Sequence, residues 1–213
     1  MPLSIGVIGS GTVGQVLAAG YAGKGHAVTI GTRSPEKLAA WQQAHPGVKV
    51  DSVASAAGAD IVFIAVAGHA AIEAVALAGT ALAGKVVIDA CNPISGPPVN
   101  GFLPYFTGPN DSLMERLQNQ APAARFVKAF SCVGNAHMID PSFPGGRPTM
   151  FICGNDPAAK AAVTTLLDEV GWDAEDVGSV EMARAIEPLC QLWCATGFLG
   201  RGWNHAFKLV RTS

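Results

Sequence analysis

Met1-Pro2-Leu3-Ser4-Ile5-Gly6-Val7-Ile8-Gly9-Ser10-Gly11-Thr12-Val13-Gly14 opens the chain, and its reading decides the fold. Leu3 to Ile8 is a short apolar run, β-branched at Ile5, Val7 and Ile8, and reads as a buried strand. Gly9, Gly11 and Gly14 follow at G-x-G-x-x-G spacing. A helical pattern opens at once behind them, with Val13, Val16, Leu17 and Gly20 on one face. Each glycine has a mechanical job in that setting. Gly9 turns the chain off the strand. Gly11, without a side chain, lets a pyrophosphate approach the backbone. Gly14 lets helix and strand pack closely. The free N–H groups and dipole of the helix start then hold phosphates, so the stretch predicts dinucleotide binding.

Composition agrees with a compact α/β protein. The 213 residues suit one domain, or one with a small appendage. Hydrophobic residues make up 49% and charged residues 14%, which implies a sheet covered on both faces or a subunit interface. The net charge of −2 leaves no electrostatic footprint for nucleic acid or an anionic membrane surface. Five scattered cysteines (Cys91, Cys132, Cys153, Cys190, Cys194) form no C-x-x-C pair, so reduced thiols in a cytoplasm are expected. Met1 leads straight into the first strand, so no leader is expected, and no segment has the ~18 uninterrupted apolar residues of a membrane span.

Further along, strands and helices alternate. The first helix is expected over Thr12–Gly23 and the second strand over Ala27–Ile30. Ser34-Pro35 predicts an N-cap and first helical position, with the helix ending near His45-Pro46. Then come a strand at Val48–Val50, a helical turn at Ser52–Gly58, a strand at Ile61–Val66, a helix at Ala70–Leu82 and a strand at Lys85–Asp89. A Pro- and Gly-rich loop, Asn92 to Asn110, is long enough to expect a function for it. Asp111–Gln120 reads as a helix and Arg125–Phe130 as the sixth strand. After a second loop, Ser131–Pro148, come a strand at Thr149–Cys153, a helix from Asp156-Pro157 to Val170 and a last strand at Asp173–Val177. From Val180 the chain is helical again, closing with Gly197–Gly202 and an apolar tail, Ala206–Val210. This alternation predicts an α/β fold: a Rossmann-type doubly wound, mostly parallel sheet with a small C-terminal helical extension.

The end of the second strand chooses the nicotinamide cofactor. An NAD enzyme carries an Asp or Glu there for the ribose 2′-hydroxyl. Here stand Thr32, Arg33 and Ser34, with Lys37 one turn on. Two hydroxyls, a guanidinium and an ammonium are the donors that a 2′-phosphate needs, so the stretch favours NADP(H) over NAD(H). Residues 1–178 are expected to form the NADP-binding domain with its substrate-side loops. Residues 179–213 are expected to pack on it or on a partner subunit.

Gly9-Ser10-Gly11-Thr12-Val13-Gly14, Gly31-Thr32-Arg33-Ser34 with Lys37, and Val127-Lys128-Ala129-Phe130 together resemble the NADP oxidoreductases that depend on the deazaflavin coenzyme F420. The same nucleotide domain occurs in the cytosolic part of the six-transmembrane epithelial antigen metalloreductases. Cys153-Gly154-Asn155-Asp156, Gly171-Trp172, Asp176-Val177-Gly178 and Ala183–Pro188 extend the resemblance over nearly the whole chain. It implies that Gly9, Ser10, Gly11, Thr12 and Val13 hold the pyrophosphate, and that Thr32, Arg33, Ser34 and Lys37 hold the 2′-phosphate. Ala65, Val66, Ala67 and His69 would line the ribose and nicotinamide side. Asn92, Pro93, Ala129 and Phe130 would approach the nicotinamide. After the sixth strand this chain has Ser131, where the deazaflavin enzymes carry His.

The function expected is hydride transfer between NADP(H) and a small-molecule acceptor: a flavin, a deazaflavin, or a ferric chelate reached through a flavin. Such transfer needs alignment of two rings more than a general acid. His69 and His137 are the candidate proton donors, each against the blander reading of a structural or exposed histidine. His26, His45 and His205 have no metal-ligand spacing with one another or with the cysteines, so no metal is expected. Cys190 and Cys194, one helical turn apart, read as a buried helix face. The low charge and apolar tail suggest a homodimer. Two other readings stay open. One is a reductase of a small imine or 2-hydroxy acid, against which counts the short stretch after the last strand. The other is a non-catalytic NADPH sensor, which would bind NADPH and reduce nothing.

Overall fold

In the computed structural model, which describes residues 1–212, six parallel strands form one sheet. They are β1 (Ser4–Ile8), β2 (Ala27–Gly31), β3 (Val48–Asp51), β4 (Ile61–Ile64), β5 (Val86–Asp89) and β6 (Arg125–Lys128). Their spatial order is β3-β2-β1-β4-β5-β6, so the chain reverses direction across the sheet between β1 and β4. Register places Ile8 beside Gly31 and Ile64, Gly31 beside Asp51, and Asp89 beside Ile64 and Lys128. The carboxyl ends of all six strands therefore share one edge. This is the Rossmann arrangement, in which ligands bind beyond that edge at the switch point.

The side-chain period of two explains why both faces are covered. Ile5 and Val7 of β1 join Phe63, Ile88 and Val127 on one face, under α1 (Thr12–Gly23). Ile8 joins Val62, Ile64, Val87 and Phe126 on the other, under α3 (Val53–Ala57), α4 (Gly68–Ala78) and α5 (Leu113–Gln120). Close packing has a specific cause at Gly6, where a Cβ would lie 1.9 Å from the Ala56 carbonyl oxygen. The remaining helix of this half, α2 (Ala39–Ala44), is short and buries no residue fully.

Several boundaries differ from the sequence reading. Ser34 does not cap a helix. The chain after it forms a 3-10 turn, Pro35–Leu38, before α2, and the Ser34 N–H instead bonds Thr32 Oγ1 at 3.2 Å. The fourth strand ends at Ile64 and the sixth at Lys128, each two residues early. Phe130 has φ of 63°, which no strand can accommodate. β7 (Thr149–Ile152) and β8 (Asp173–Asp176) do not extend the parallel sheet; they pair with each other. One antiparallel bridge, Lys128 to Cys153, joins them to β6. Between them α6 (Pro157–Glu169) packs Val163, Leu166 and Leu167 inward. α7 (Ala183–Phe198) buries Ala183, Ile186, Glu187, Cys190 and Trp193, and the tail after it bonds β7 through Thr149 N–H and Phe207 O at 2.8 Å. No helix among the described residues is long and apolar enough to cross a membrane.

Candidate active site

At the carboxyl edge, Gly9 has φ of 133° and its N–H bonds Gly31 O at 3.1 Å, which turns the chain back over the sheet. A Cβ on Gly14 would lie 2.0 Å from the Gly9 carbonyl oxygen, so this glycine sets the distance between loop and helix. Gly11 is the N-cap of α1 and offers no side-chain cap, and a Cβ there would meet nothing within 4 Å. The first-turn amides of α1 thus face open space with the helix dipole behind them, the arrangement that binds phosphate.

Two cavities flank this loop and share Val66. The smaller, about 110 Å³, lies at the ends of β1 and β2 over α4. Its polar groups are Ser10, Thr32, Arg33 and Glu73. Thr32 Oγ1 donates to Ser10 Oγ at 3.2 Å, and Arg33 Nη1 donates to Glu73 Oε1 at 3.1 Å. That ion pair is exposed on both sides, so it restrains Arg33 weakly and leaves its other donors available. The larger cavity, about 520 Å³, opens on the other side of the loop. Gly11, Thr12 and Val13 form one wall, Ala65 to His69 a second, and Ala90 to Asn92 with Ile94 to Gly96 a third. Its volume is in the range of small-molecule sites.

A buried charged cluster supports the third wall. Lys128 Nζ donates to Asp89 Oδ2 at 2.8 Å, to Cys91 O at 2.6 Å and to Glu187 Oε1 at 3.0 Å. Glu187, from α7, accepts the Leu113 and Met114 N–H groups at the start of α5. Burial alone would lower the Lys128 pKa, but Asp89 and Glu187 outweigh it and hold the ammonium charged. Burial, with the Asp89 charge, pushes the Cys91 thiol well above its usual range, so Cys91 is a neutral wall residue. Asn92 Nδ2 donates to Ser131 O at 2.8 Å, while Asn92 Oδ1 and Ser131 Oγ are buried with no hydrogen-bond partner in the protein.

Of the residues singled out from sequence, Gly9, Ser10, Thr32, Arg33 and Val66 line the smaller cavity. Gly11, Thr12, Val13, Ala65, Val66, Ala67, His69 and Asn92 line the larger. Gly14 acts behind the loop. Ser34 and Lys37 stand outside the cavity lining, Lys37 exposed on the 3-10 turn. Pro93 is buried beside Gly68. Ala129 and Phe130 do not reach the cleft: both are buried, and the Phe130 ring packs on Phe63, because the early end of β6 turns them into the core. His137 is also absent from the lining. Its ring lies on Phe143 and meets Asn204 Oδ1 at 3.3 Å. Sequence reasoning missed Glu73 as a site residue, and marked Ile94–Gly96 only as part of the long loop after the fifth strand. Glu73 lies one helical turn after His69, and that spacing was the only signal for it.

Residues 4–93 match the family described as NADP oxidoreductase, coenzyme F420-dependent. A crystal structure from Arthrobacter sp. FB24, provisionally assigned as an F420-dependent NADP-reductase, shares 36% identity, covers 98% of this chain and 100% of its own, and superposes with a TM-score of 0.92. The chain belongs to the coenzyme F420-dependent NADP oxidoreductase family. It is accordingly an NADP-dependent oxidoreductase, and NADP(H) is its cofactor. Metalloreductase STEAP3 of Rattus norvegicus is 28% identical over 185 residues, covering 87% of this chain. This chain spans 36% of the length of that curated relative. An imine reductase from Myxococcus stipitatus solved with NADP⁺ is 16% identical, covers 94% of this chain and 63% of its own, and has a TM-score of 0.69. That likeness shows the fold alone.

Proposed function

We propose that this family member is an NADPH-dependent reductase that delivers hydride to a small planar acceptor of the flavin type, seated in the larger cavity. One observation carries the reading: two cavities that meet at Val66 flank the uncapped start of α1, one bearing Arg33, Thr32 and Ser10, the other reaching the wall at Asn92. In that reading Gly9 to Gly14 receive the pyrophosphate. Thr32 and Arg33, with Ser34 and Lys37 from the adjoining turn, receive the 2′-phosphate, and Arg33 exchanges Glu73 for it. Ala65 to Ala67 and His69 border the ribose. Asn92, on the cavity wall, has an unpartnered Oδ1 that can accept from a primary carboxamide, which fits the nicotinamide end, and its Nδ2 is anchored on Ser131 O. Ala129 and Phe130 act from behind by fixing the backbone of Ser131.

When bound, NADPH supplies a hydride, two electrons with one proton, and the reduced acceptor completes its protonation from solvent. The protein's task is to hold two rings in contact and keep water out. His69 is the one imidazole in the cavity and the candidate group for a proton or a ribose hydroxyl. The metalloreductase relative supports an electron-delivery role, with ferric chelates reduced through a diffusible flavin.

The test is NADPH oxidation, followed by absorbance, against riboflavin, FMN, FAD, the deazaflavin and ferric chelates, with NADH in parallel. At least one acceptor should turn over, and Arg33→Ala should raise the KM for NADPH by about 10- to 100-fold, as expected for loss of a charged hydrogen bond. The KM for NADH should change less than about 2-fold, since NADH has no group for Arg33 to hold. Tighter use of NADH than NADPH would refute the reading of residues 31–37. NADPH binding without reduction of any acceptor would leave a sensor.

A further inference from the structure

The family's deazaflavin coenzyme carries a phosphodiester and carboxylates on its side chain, and FMN carries a phosphate. The acceptor side of the cleft does not fit such charge. No Lys or Arg lines the larger cavity. The chain has 14 such residues. Ten are paired with carboxylates elsewhere, among them Arg33 with Glu73, Arg116 with Asp111 and Arg184 with Glu115. Lys85 and Lys208 are held by backbone carbonyls, Lys37 belongs to the 2′-phosphate end, and Arg201 stands exposed after α7, outside the cavity lining.

Behind the Ala90–Asn92 wall the field is opposite in sign. Asp89, Glu187 and Lys128 carry a formal charge of −1 between them, within a buried cluster where charges are weakly screened. The start of α1 is spent on the pyrophosphate. The start of α4 also meets the cavity, but it is closed on one side by a carbonyl oxygen: a Cβ on Gly68 would lie 2.0 Å from Asn92 O. The remaining wall, Ile94, Ser95 and Gly96, is neutral.

We propose that the acceptor half of the cleft selects an uncharged planar ring, and that phosphate or carboxylate on the acceptor's side chain contributes nothing to binding. The reaction is unchanged by this: hydride passes from the reduced nicotinamide to the ring, leaving NADP⁺, and the ring's second proton comes from solvent. The inference rests on the reductase reading, but it concerns affinity and can fail separately.

Riboflavin and FMN distinguish the cases, because they share one ring and differ by a phosphate. Each is titrated into the NADP⁺-loaded protein, following flavin fluorescence, at low and at high salt. Riboflavin should bind at least as tightly as FMN, and FMN binding should not weaken as salt rises. Ser95→Lys, on the exposed wall, should shift preference toward FMN by about 3-fold, the worth of one exposed ion pair. FMN binding 3-fold or more tighter than riboflavin in the unmodified protein, with affinity lost at high salt, would overturn the proposal. So would failure of both flavins to bind. If flavins bind with the expected preference yet NADPH is not oxidised, the reductase reading fails and the selectivity stands.

Discussion

Replacing Lys128 by Met tests how the cleft wall is supported. The Lys128 side chain is fully buried, as is Asp89, and Glu187 is nearly so. Met fills much the same volume, so the packing loss is small. The electrostatic loss is not: two buried carboxylates lose their shared cation. Breaking a buried ion pair by removing one partner costs ~3–5 kcal/mol. Asp89 keeps the Cys91 N–H at 2.9 Å, and Glu187 keeps Leu113 and Met114 N–H at 3.0 and 3.1 Å. We therefore expect the low end, about 3 kcal/mol, which for a chain of this size lowers Tm by about 6–12 °C. Scanning calorimetry and urea unfolding measure it. Adding Asp89→Asn removes one unpaired charge while Oδ1 keeps the Cys91 N–H, and should recover about 1 kcal/mol. NADPH affinity should fall with Lys128→Met, because the Cys91 carbonyl loses its donor at 2.6 Å. A single variant within about 1 kcal/mol of the parent, or a double variant less stable than the single, would refute this account.

Gly11→Ala and Gly14→Ala should separate binding from folding. The first adds a methyl to open space, so Tm should hold while NADPH affinity falls at least about 10-fold. The second places a Cβ 2.0 Å from a backbone oxygen and should lower Tm itself; equal effects on Tm would contradict the assignment. Glu115 is held below its usual value of 4.5, first by the hydrogen bond from Arg184, so its contribution is full above that value and lost as pH falls through the folded-state pKa. Thermal scans from neutral to acid pH should show Glu115→Gln losing less stability on acidification than the parent, and identical slopes would exclude the pair as a determinant. Burial pushes the thiols of Cys132 and Cys153 up to about 12, so neither should alkylate with iodoacetamide at pH 8 before unfolding; rapid native labelling counted by mass would show the burial to be wrong.

The first 14 residues and the stretch Gly31–Ser34 determine a great deal by themselves. Glycine spacing and strand-to-helix switching are local facts of covalent geometry, so the turn, the uncapped helix start and the donor set at the end of β2 were legible without a fold. The alternation of later segments determined the layered sheet in the same way. Boundaries were less legible where local pattern and tertiary context disagree. Arg125–Phe130 reads as one strand, yet the turn at Phe130 sends that ring into the core and takes it from the cleft. Ser34 has the chemistry of a cap, yet Thr32 holds its N–H. Only the tertiary structure decided which charges meet. Asp89, Lys128 and Glu187 are far apart in sequence, and nothing near any of them marks a partner. Arg33 and Glu73 join because β2 and β4 flank β1, and the larger cavity is free of Lys and Arg because the fold places those side chains elsewhere. Hydrophobic period and turn chemistry act over a few residues and survive in a linear reading. Electrostatic pairing acts through space, and its partners exist only after the chain has folded.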